Sequence, residues 1–199
     1  MTGHIQCMPR PSLKEQIVDA AVETLHRKGF NGSSVQDITE AAQAPKGSFY
    51  NHFESKEDLA VAALQRYWER GETSREMLRD TQYPPLERLN RYLDHLAGSA
   101  RKAEFRKGCL IGNMSTEMAG ENRPVRARLA ALFGAWTEAI ESCVREAQAD
   151  DSVRRDLDPA SIAVFLLNSW EGALLRTKVD RNDSALEVFR RATSALLSP

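Results

Sequence analysis

The apolar residues of this chain recur at intervals of three and four, and no stretch of useful length alternates apolar and polar residues as a strand does. The first such pattern begins after Ser12, which forms a capping box with Glu15, and ends at Gly29, a common helix-terminating residue. Its inner stripe comprises Ile17, Ala20, Ala21, Thr24 and Leu25. Similar patterns follow to the end of the chain, so the sequence predicts an all-α fold of about nine helices.

A short helix after Pro45 has two faces of different character. Pro45 suits a first helical position, and Phe49 and Phe53 share the face that enters a core. The opposite face is small and polar, with Gly47, Ser48 and Asn51. A glycine there costs about 1 kcal/mol relative to alanine, which favours close approach of the helix backbone to another surface. Such a face suits a helix in a DNA major groove; the alternative is an ordinary amphipathic helix with a polar outer face.

The preceding helix favours the DNA-binding interpretation. It begins after Ser34, with Asp37 in the capping-box position, and keeps helical spacing through Ile38. Only Gln43 and Ala44 separate it from Pro45. A helix, a short turn and a second helix form the helix-turn-helix arrangement.

Residues 13–64 resemble the DNA-binding domain of TetR/AcrR-type transcriptional repressors. The resemblance is carried by Gly29-Phe30, Ser33-Ser34-Val35-Gln36-Asp37-Ile38, Ala41-Ala42, Lys46-Gly47-Ser48-Phe49-Tyr50-Asn51-His52-Phe53 and Ser55-Lys56-Glu57-Asp58-Leu59. The chain departs from the family at Gln43, where a glycine is common because the turn tends to need a positive φ. Glutamine there is expected to cost about 1 kcal/mol.

This resemblance implies roles for residues of the two short helices. Base edges or nearby phosphates are expected to be contacted by Gln36, Lys46, Ser48 and Asn51, and phosphates mainly by Ser34, Tyr50, His52 and Lys56. Gly47 is expected to permit the close approach. The implied function is a ligand-responsive repressor that binds a pseudo-palindromic operator in double-stranded DNA as a homodimer and is released by a small-molecule effector.

The chain is expected to divide into two domains. Residues 1–56 form the helix-turn-helix domain, with a flexible arm at 1–11, and residues 57–199 form a helical domain for effector binding and dimerisation. A helix from Ser55 to about Arg79, interrupted by Gly71, connects them. Tyr83-Pro84-Pro85 then breaks the helical pattern.

The last two predicted helices carry more apolar surface than one buried face requires. One, from Asp158-Pro159 to about Val179, is apolar on almost every side; the other begins at Ser184, with Glu187 as its capping partner. A four-helix seam between two chains explains this excess, and TetR-like proteins dimerise in this way. The residues assigned to the dimer interface are Phe165, Leu174, Leu186 and Phe189.

An effector pocket is expected among the helices from Leu86 to Trp170, where aromatic and sulfur-containing side chains gather. Its assigned residues are Tyr92, Cys109, Asn113, Met114, Phe133, Trp136 and Trp170. Cys109 is open to two interpretations. A position in the first turn of a helix, with Arg101, Lys102, Arg106 and Lys107 just upstream, favours a reactive thiolate that senses electrophiles or oxidants. A small buried apolar residue is the alternative.

Composition and motifs limit the other classes of function. Cys7, Cys109 and Cys143 are far apart, which fits a reducing cytoplasm and neither a disulfide framework nor a metal site. The net charge is −1, and residues through Lys56 carry six basic and six acidic side chains, so strong non-specific DNA binding is not expected. No signal peptide, membrane span, cofactor motif or catalytic motif is visible. The alternatives are a Cys109–His95 nucleophile pair and a structural helical adaptor; the adaptor leaves Gly47 unexplained.

Overall fold

The structure is a computed structural model that describes residues 12–199, and within that range every regular element is a helix. The α-helices are α1 Leu13–Lys28, α2 Val35–Ala41, α3 Lys46–Phe49, α4 Lys56–Arg70, α5 Glu72–Glu76, α6 Pro85–Lys102, α7 Leu110–Met118, α8 Arg123–Ala149, α9 Pro159–Asp180 and α10 Ser184–Leu197, with a 3₁₀ turn at Met77–Arg79. The predicted all-α class is confirmed. The arm predicted at residues 1–11 lies outside the described residues.

The helices number ten among residues 12–199 rather than nine, because the helix predicted from Ser55 to about Arg79 ends at Arg70. Gly71 caps it, and the side chain of Arg75 folds back over Trp68. The Arg75 guanidinium lies 3.5 Å from the centre of the Trp68 ring and donates to the Trp68 carbonyl at 2.6 Å. A Cβ at Gly71 would lie 2.7 Å from Arg75 Nη1, so the glycine makes room for this return.

Four helix starts follow the predicted capping residues. Ser12 and Ser34 form reciprocal capping boxes with Glu15 and Asp37, and Ser55 and Asp158 accept backbone N–H groups three residues on. Two assignments were wrong by one residue. Pro45 is the N-cap of α3 rather than its first residue. The N-cap of α10 is Asp183, without a side-chain hydrogen bond, rather than Ser184, which is the first helical residue.

One continuous apolar core joins the N-terminal unit, α1 to α3, to the rest of the chain. The long helix α8 occupies the centre of the C-terminal part and packs against α4, α6, α7 and α9, while α10 packs on α9. The division at residue 56 stays a prediction; α4 begins there and contacts both parts. No helix in residues 12–199 is both long and apolar enough to cross a membrane.

Candidate functional site

The turn between α2 and α3 is held by backbone hydrogen bonds and one left-handed residue. Gln43 has a φ of 54°, as the sequence indicated for this position. The Gln43 N–H donates to the Glu40 carbonyl at 3.0 Å, and the Ala44 N–H donates to the Thr39 carbonyl at 2.9 Å. These bonds offset the cost of a non-glycine residue in this conformation, about 1 kcal/mol. The angle between α2 and α3 is therefore fixed.

Helix α3 is anchored on one side and open on the other. Phe49 and Phe53 are buried with their ring centres 5.6 Å apart. A Cβ added at Gly47 would meet nothing within 4 Å, and Tyr50 is 63% exposed. The helix is shorter than predicted, but the chain continues in a tight turn in which the N–H groups of residues 51 and 52 donate three residues back. Exposed side chains on this surface are Lys46, Tyr50, Asn51 and His52.

Three other predicted DNA-binding side chains already have partners in the chain. Ser34 is the N-cap of α2, and its hydroxyl donates a hydrogen bond to the Asp37 carboxylate. Gln36 Nε2 donates to Glu40 Oε1 at 2.8 Å, and Ser48 Oγ donates to the Pro45 carbonyl at 2.6 Å. These side chains would have to share or exchange those bonds on contacting a nucleic acid, and their roles stay predictions.

Lys56 ties the α1–α2 connection to the start of α4. Its Nζ donates to the carbonyl oxygens of Phe30 and Ser33, both at 2.6 Å, and lies 4.0 Å from the centre of the Phe30 ring. Burial lowers the pKa of Lys56, and neighbouring carboxylates oppose that effect. Two of its three N–H groups are therefore used within the protein, and one is left for a phosphate.

We expect Lys56→Ala to lower the free energy of unfolding by about 1–2 kcal/mol, because two carbonyl groups lose a charged donor. The same change is expected to reduce the salt slope of DNA binding by about one unit per half-site. Thermal unfolding and affinity measurements over a salt series test both effects, with Lys46→Ala as the exposed control for stability. Unchanged stability would contradict the structural role, and an unchanged slope would remove Lys56 from the DNA interface.

Two adjacent cavities lie between the N-terminal unit and the C-terminal helices. Their volumes are about 280 Å³ and 230 Å³. Both are lined by His26, Tyr67, Leu96, Ser99 and Trp136. The larger cavity adds residues from α4, α5 and α6, including Trp68, Arg75 and Tyr92; the smaller adds Phe105, Cys109 and Trp170. Together they form a largely aromatic space bounded by α1, α4, α6, α7, α8 and α9, a chemistry typical of small-molecule pockets.

The structure places the predicted pocket residues unevenly. Tyr92, Cys109, Trp136 and Trp170 line the two cavities. Met114 is fully buried in the core, Phe133 packs on the core surface, and neither lines them. Asn113 lines a third cavity of about 210 Å³ with Glu171 and Lys178, and this cavity shares Gly108 and Cys109 with the smaller of the two. Met114, Phe133 and Asn113 therefore do not line these two cavities, and the pocket assignments stay predictions.

Sequence reasoning missed the half of the cavity wall that comes from α1, α4 and α5. His26, Tyr67, Trp68 and Arg75 were not considered, because the search was restricted to residues after Leu86. His26 Nε2 lies 2.9 Å from the carbonyl oxygen of Gly108, to which it donates, and its ring meets Tyr67 edge-on at 5.4 Å. The available signal was the pair of adjacent aromatic residues Tyr67 and Trp68, because two neighbouring positions are too far apart around the helix to share the inner face of α4.

The buried walls of these cavities favour uncharged side chains. Burial lowers the pKa of His26 more than its hydrogen bond to Gly108 raises it. Burial also raises the pKa of the Tyr67 and Tyr92 hydroxyl groups. These shifts favour the neutral forms of the three groups, which are available as hydrogen-bonding partners.

Cys109 is the N-cap of α7, but the reasons given for a thiolate do not hold. Burial, followed by the proximity of Glu171, raises the pKa of the Cys109 thiol well above its usual value. Burial also raises the pKa of Glu171 to about 6. Three of the four upstream basic residues pair elsewhere: Arg101 with Asp183, Arg106 with Glu104 and Lys107 with Glu23. The buried-thiol interpretation is favoured.

In a variant that retains Cys109 and replaces Cys7 and Cys143 by serine, we expect iodoacetamide to react at pH 7.5 at least about tenfold more slowly than with a free thiol, because the reactive thiolate is depleted. Mass spectrometry of timed samples measures the rate, and unfolding in denaturant should restore it. Alkylation at the free-thiol rate in the folded protein would contradict the raised pKa and revive the sensor hypothesis.

The dimer-interface assignments stay predictions, and three of the four assigned residues are already covered by their own chain. Leu174, Leu186 and Phe189 are buried within the single chain, where Phe189 packs edge-on against Trp170 at 5.8 Å. Phe165 is 52% exposed. Periodicity indicated burial correctly but could not distinguish burial by the same chain from burial by a partner. The large apolar side chains left exposed on α9 and α10 are Val164, Phe165, Leu175, Val179 and Val188.

Polar contacts join the N-terminal unit to the C-terminal helices at two places. Asp19 on α1 accepts from Arg66 and Arg70 of α4, at 2.8 and 3.0 Å. Glu117, near the end of α7, accepts the Asn31 N–H at 2.8 Å, and a Cβ at Gly29 would lie 2.6 Å from Glu117 Oε1. Helix α7 thus contacts the α1–α2 connection at one end and, through Cys109 and Ile111, borders the cavities at the other.

Comparison with known proteins gives matches to both parts of the chain. The family description "Bacterial regulatory proteins, tetR family" matches residues 17–63, and "Tetracyclin repressor-like, C-terminal domain" matches residues 85–193. The chain is 38% identical to the HTH-type transcriptional repressor DhaR of Mycobacterium sp. (strain GP1) over 193 residues, which cover 96% of both chains.

Two further matches extend along nearly the whole chain. It is 33% identical to the transcriptional regulator AcuR of Cereibacter sphaeroides, covering 95% of this chain and 87% of that protein. A crystal structure described as regulatory protein TetR from Rhodobacter sphaeroides superposes with a TM-score of 0.87 at 31% identity, covering 94% of this chain and 100% of that one. The matched regions include the helix-turn-helix surface and the cavity walls.

Proposed function

Because this chain belongs to the TetR family of transcriptional regulators, we propose that it is a repressor that binds a pseudo-palindromic operator as a homodimer and leaves it on binding a small molecule. Its activity is then binding rather than catalysis. DNA and effector act on one chain through two sites, which requires two global states that each ligand favours differently. Its place of action is the bacterial cytoplasm, where the operator is.

The observation that carries the DNA-binding part of the proposal is the outer face of α3. A rigid helix, fixed by Phe49 and Phe53 below and by the Gln43 turn before it, presents a bare backbone position at Gly47. Donors surround this position: Lys46 and Asn51 for base edges or phosphates, and Tyr50 and His52 for phosphates. No described side chain fills the space above Gly47, so it is open to a major groove.

Dimerisation is proposed through the outer faces of α9 and α10. On α9 the exposed residues Val164, Leu175 and Val179 follow helical spacing, with the exposed Gly172 between them. A face of this kind on a monomer indicates a protein interface. Two copies packed about a two-fold axis form a four-helix seam and place two α3 helices on one side, as an inverted repeat requires.

The effector is proposed to occupy the two adjacent cavities, and α7 is proposed to transmit its binding. The N-terminal end of α7 borders the cavities. Glu117 at its other end accepts the Asn31 N–H of the N-terminal unit, α1 to α3, which is the reading unit of the proposed repressor. A shift of α7 on effector binding would therefore move the α1–α2 connection. The two reading units of a dimer would then leave the spacing that fits the operator.

The proposal is tested by footprinting the purified protein on the DNA upstream of its own gene. Protection of an inverted repeat, lost in the Gly47→Leu variant, is the expected result. A protein that is folded and dimeric but protects no sequence in preference to random DNA would contradict the proposed operator there. Release of the same footprint by a small molecule from a fragment library tests the effector part separately.

A further inference from the structure

One buried polar atom in the wall of the cavities lacks a partner. The Trp136 indole is 7% exposed, and its Nε1–H forms no hydrogen bond with any described residue. The Tyr92 hydroxyl lies near enough for the indole to lower its pKa, against the larger effect of burial that raises it, but no hydrogen bond of acceptable geometry joins the two. An unsatisfied donor is uncommon in a protein interior and calls for an explanation.

Trp136 borders both cavities, which makes it a central feature of the whole space. Its ring meets the ring of Trp68 edge-on at 6.3 Å, and Trp68 in turn is covered by the Arg75 guanidinium. The indole is therefore held in one orientation by its packing. A ligand in either cavity reaches the wall to which this donor belongs.

The cations that line the cavities, including the buried Arg75, are already paired. The guanidinium nitrogens of Arg70 lie 3.0 Å from a carboxylate oxygen of Asp19 and 3.2 Å from one of Glu23. Lys107 Nζ lies 3.1 Å from the other Glu23 carboxylate oxygen, and Arg75 Nη2 lies 2.7 Å from Glu72 Oε2. Apart from these charged residues, the lining is mainly aromatic and aliphatic, with Ser74, Ser99 and the neutral forms of His26 and the two tyrosines. A charged ligand would lose its hydration without gaining a free opposite charge.

We propose that the effector is a small uncharged molecule whose hydrogen-bonding group is an acceptor, such as a carbonyl or ether oxygen, and that Trp136 Nε1–H is the donor that receives it. This inference rests on the proposed function, since it assigns the chemistry of the same cavities. Under this assignment Trp136 is the residue that distinguishes ligands with an acceptor group from apolar ligands of the same shape. The aromatic walls, in contrast, select mainly by size and shape.

The test compares molecules of the same shape that differ in one group. Acetophenone carries the acceptor, isopropenylbenzene replaces its oxygen by a methylene group, and benzoate replaces the methyl ketone by a charged carboxylate. The aliphatic set is 3-methyl-2-butanone, 2,3-dimethyl-1-butene and isobutyrate. Each is titrated into ¹⁵N-labelled full-length protein in sealed tubes, and the indole N–H cross-peaks of Trp68, Trp136 and Trp170 are followed.

In at least one set we expect the ketone to bind about tenfold more tightly than its alkene and about 100-fold more tightly than its carboxylate. The Trp136 N–H signal should move downfield with the ketone only. Trp136→Phe assigns that signal and should abolish the preference of ketone over alkene; the wild-type shift remains decisive if this variant folds poorly.

Equal affinity of ketone and alkene, tighter binding of a carboxylate, or no binding of either ketone would overturn the inference. None of these outcomes affects operator binding by the ligand-free protein, which is measured separately by footprinting. A protein that protects its operator but prefers benzoate refutes the effector chemistry alone. A protein that binds the ketones but no operator refutes the proposed function and leaves the assignment of Trp136 standing.

Discussion

Gly47→Leu is expected to reduce operator affinity by at least about 100-fold while leaving the protein folded and dimeric. The new side chain would point into open space, where a Cβ meets nothing within 4 Å, so the chain has no internal contact to lose. On the DNA it would occupy the gap through which the backbone of α3 approaches the groove. Loss of a few close contacts of about 1–3 kcal/mol each accounts for the expected loss of affinity.

Operator affinity, melting temperature and sedimentation are the measurements for this variant. Gly134→Leu on α8 is the matched control, since Gly134 is also exposed with nothing within 4 Å of a Cβ, and α8 lies outside the reading unit. That variant should bind the operator as the wild type does. Gly47→Ala should fall between the two. Wild-type affinity in Gly47→Leu would refute the close approach of α3 to DNA.

Phe165→Glu and Leu175→Glu are expected to convert the dimer to monomers and to abolish operator binding with it. Both side chains are more than half exposed in the single chain, so a glutamate in either place costs the isolated chain little. In the dimer each substitution occurs twice and places a charge in an apolar seam. Each apolar side chain removed from the seam reduces the favourable free energy of dimerisation by about 1.5–3 kcal/mol, before the cost of the charge is added.

Leu174→Glu is the informative contrast, because Leu174 is the neighbour of Leu175 and is buried within its own chain. It should unfold or strongly destabilise the protein, which circular dichroism detects, while the Leu175 variant stays folded and sediments as a monomer. A Leu175→Glu protein that remains dimeric, together with a dimeric Phe165→Glu protein, would show that the seam lies on another face.

Local signals in the sequence predicted much of the fold. Capping residues such as Ser34 and Asp158 act on their own helix, so their positions could be read without knowledge of the tertiary structure. The family resemblance and the helix-turn-helix arrangement also depend on residues close together along the chain, so both could be predicted, and both were confirmed. The break at Gly71 was underestimated because it depends on how the Arg75 side chain folds back.

The site was harder to predict because its geometry depends on contacts between distant residues. Lys107 appeared to favour a Cys109 thiolate by proximity in sequence, whereas in the fold it pairs with Glu23 of α1. The cavity is closed by His26, which is 83 residues before Cys109 in the numbering and belongs to the N-terminal unit. Helical periodicity identified Leu174 as buried but could not indicate which chain covers it.

The central claim is that two α3 helices of one dimer read an inverted repeat, and selection of bound sequences from a random DNA pool tests it most directly. The account predicts enrichment of a pseudo-palindrome whose half-sites are about 34–36 Å apart, or a multiple of that distance. Enrichment should disappear with Gly47→Leu and with Leu175→Glu. Enrichment of a single unrepeated site, or of no sequence by a folded dimer, would contradict it.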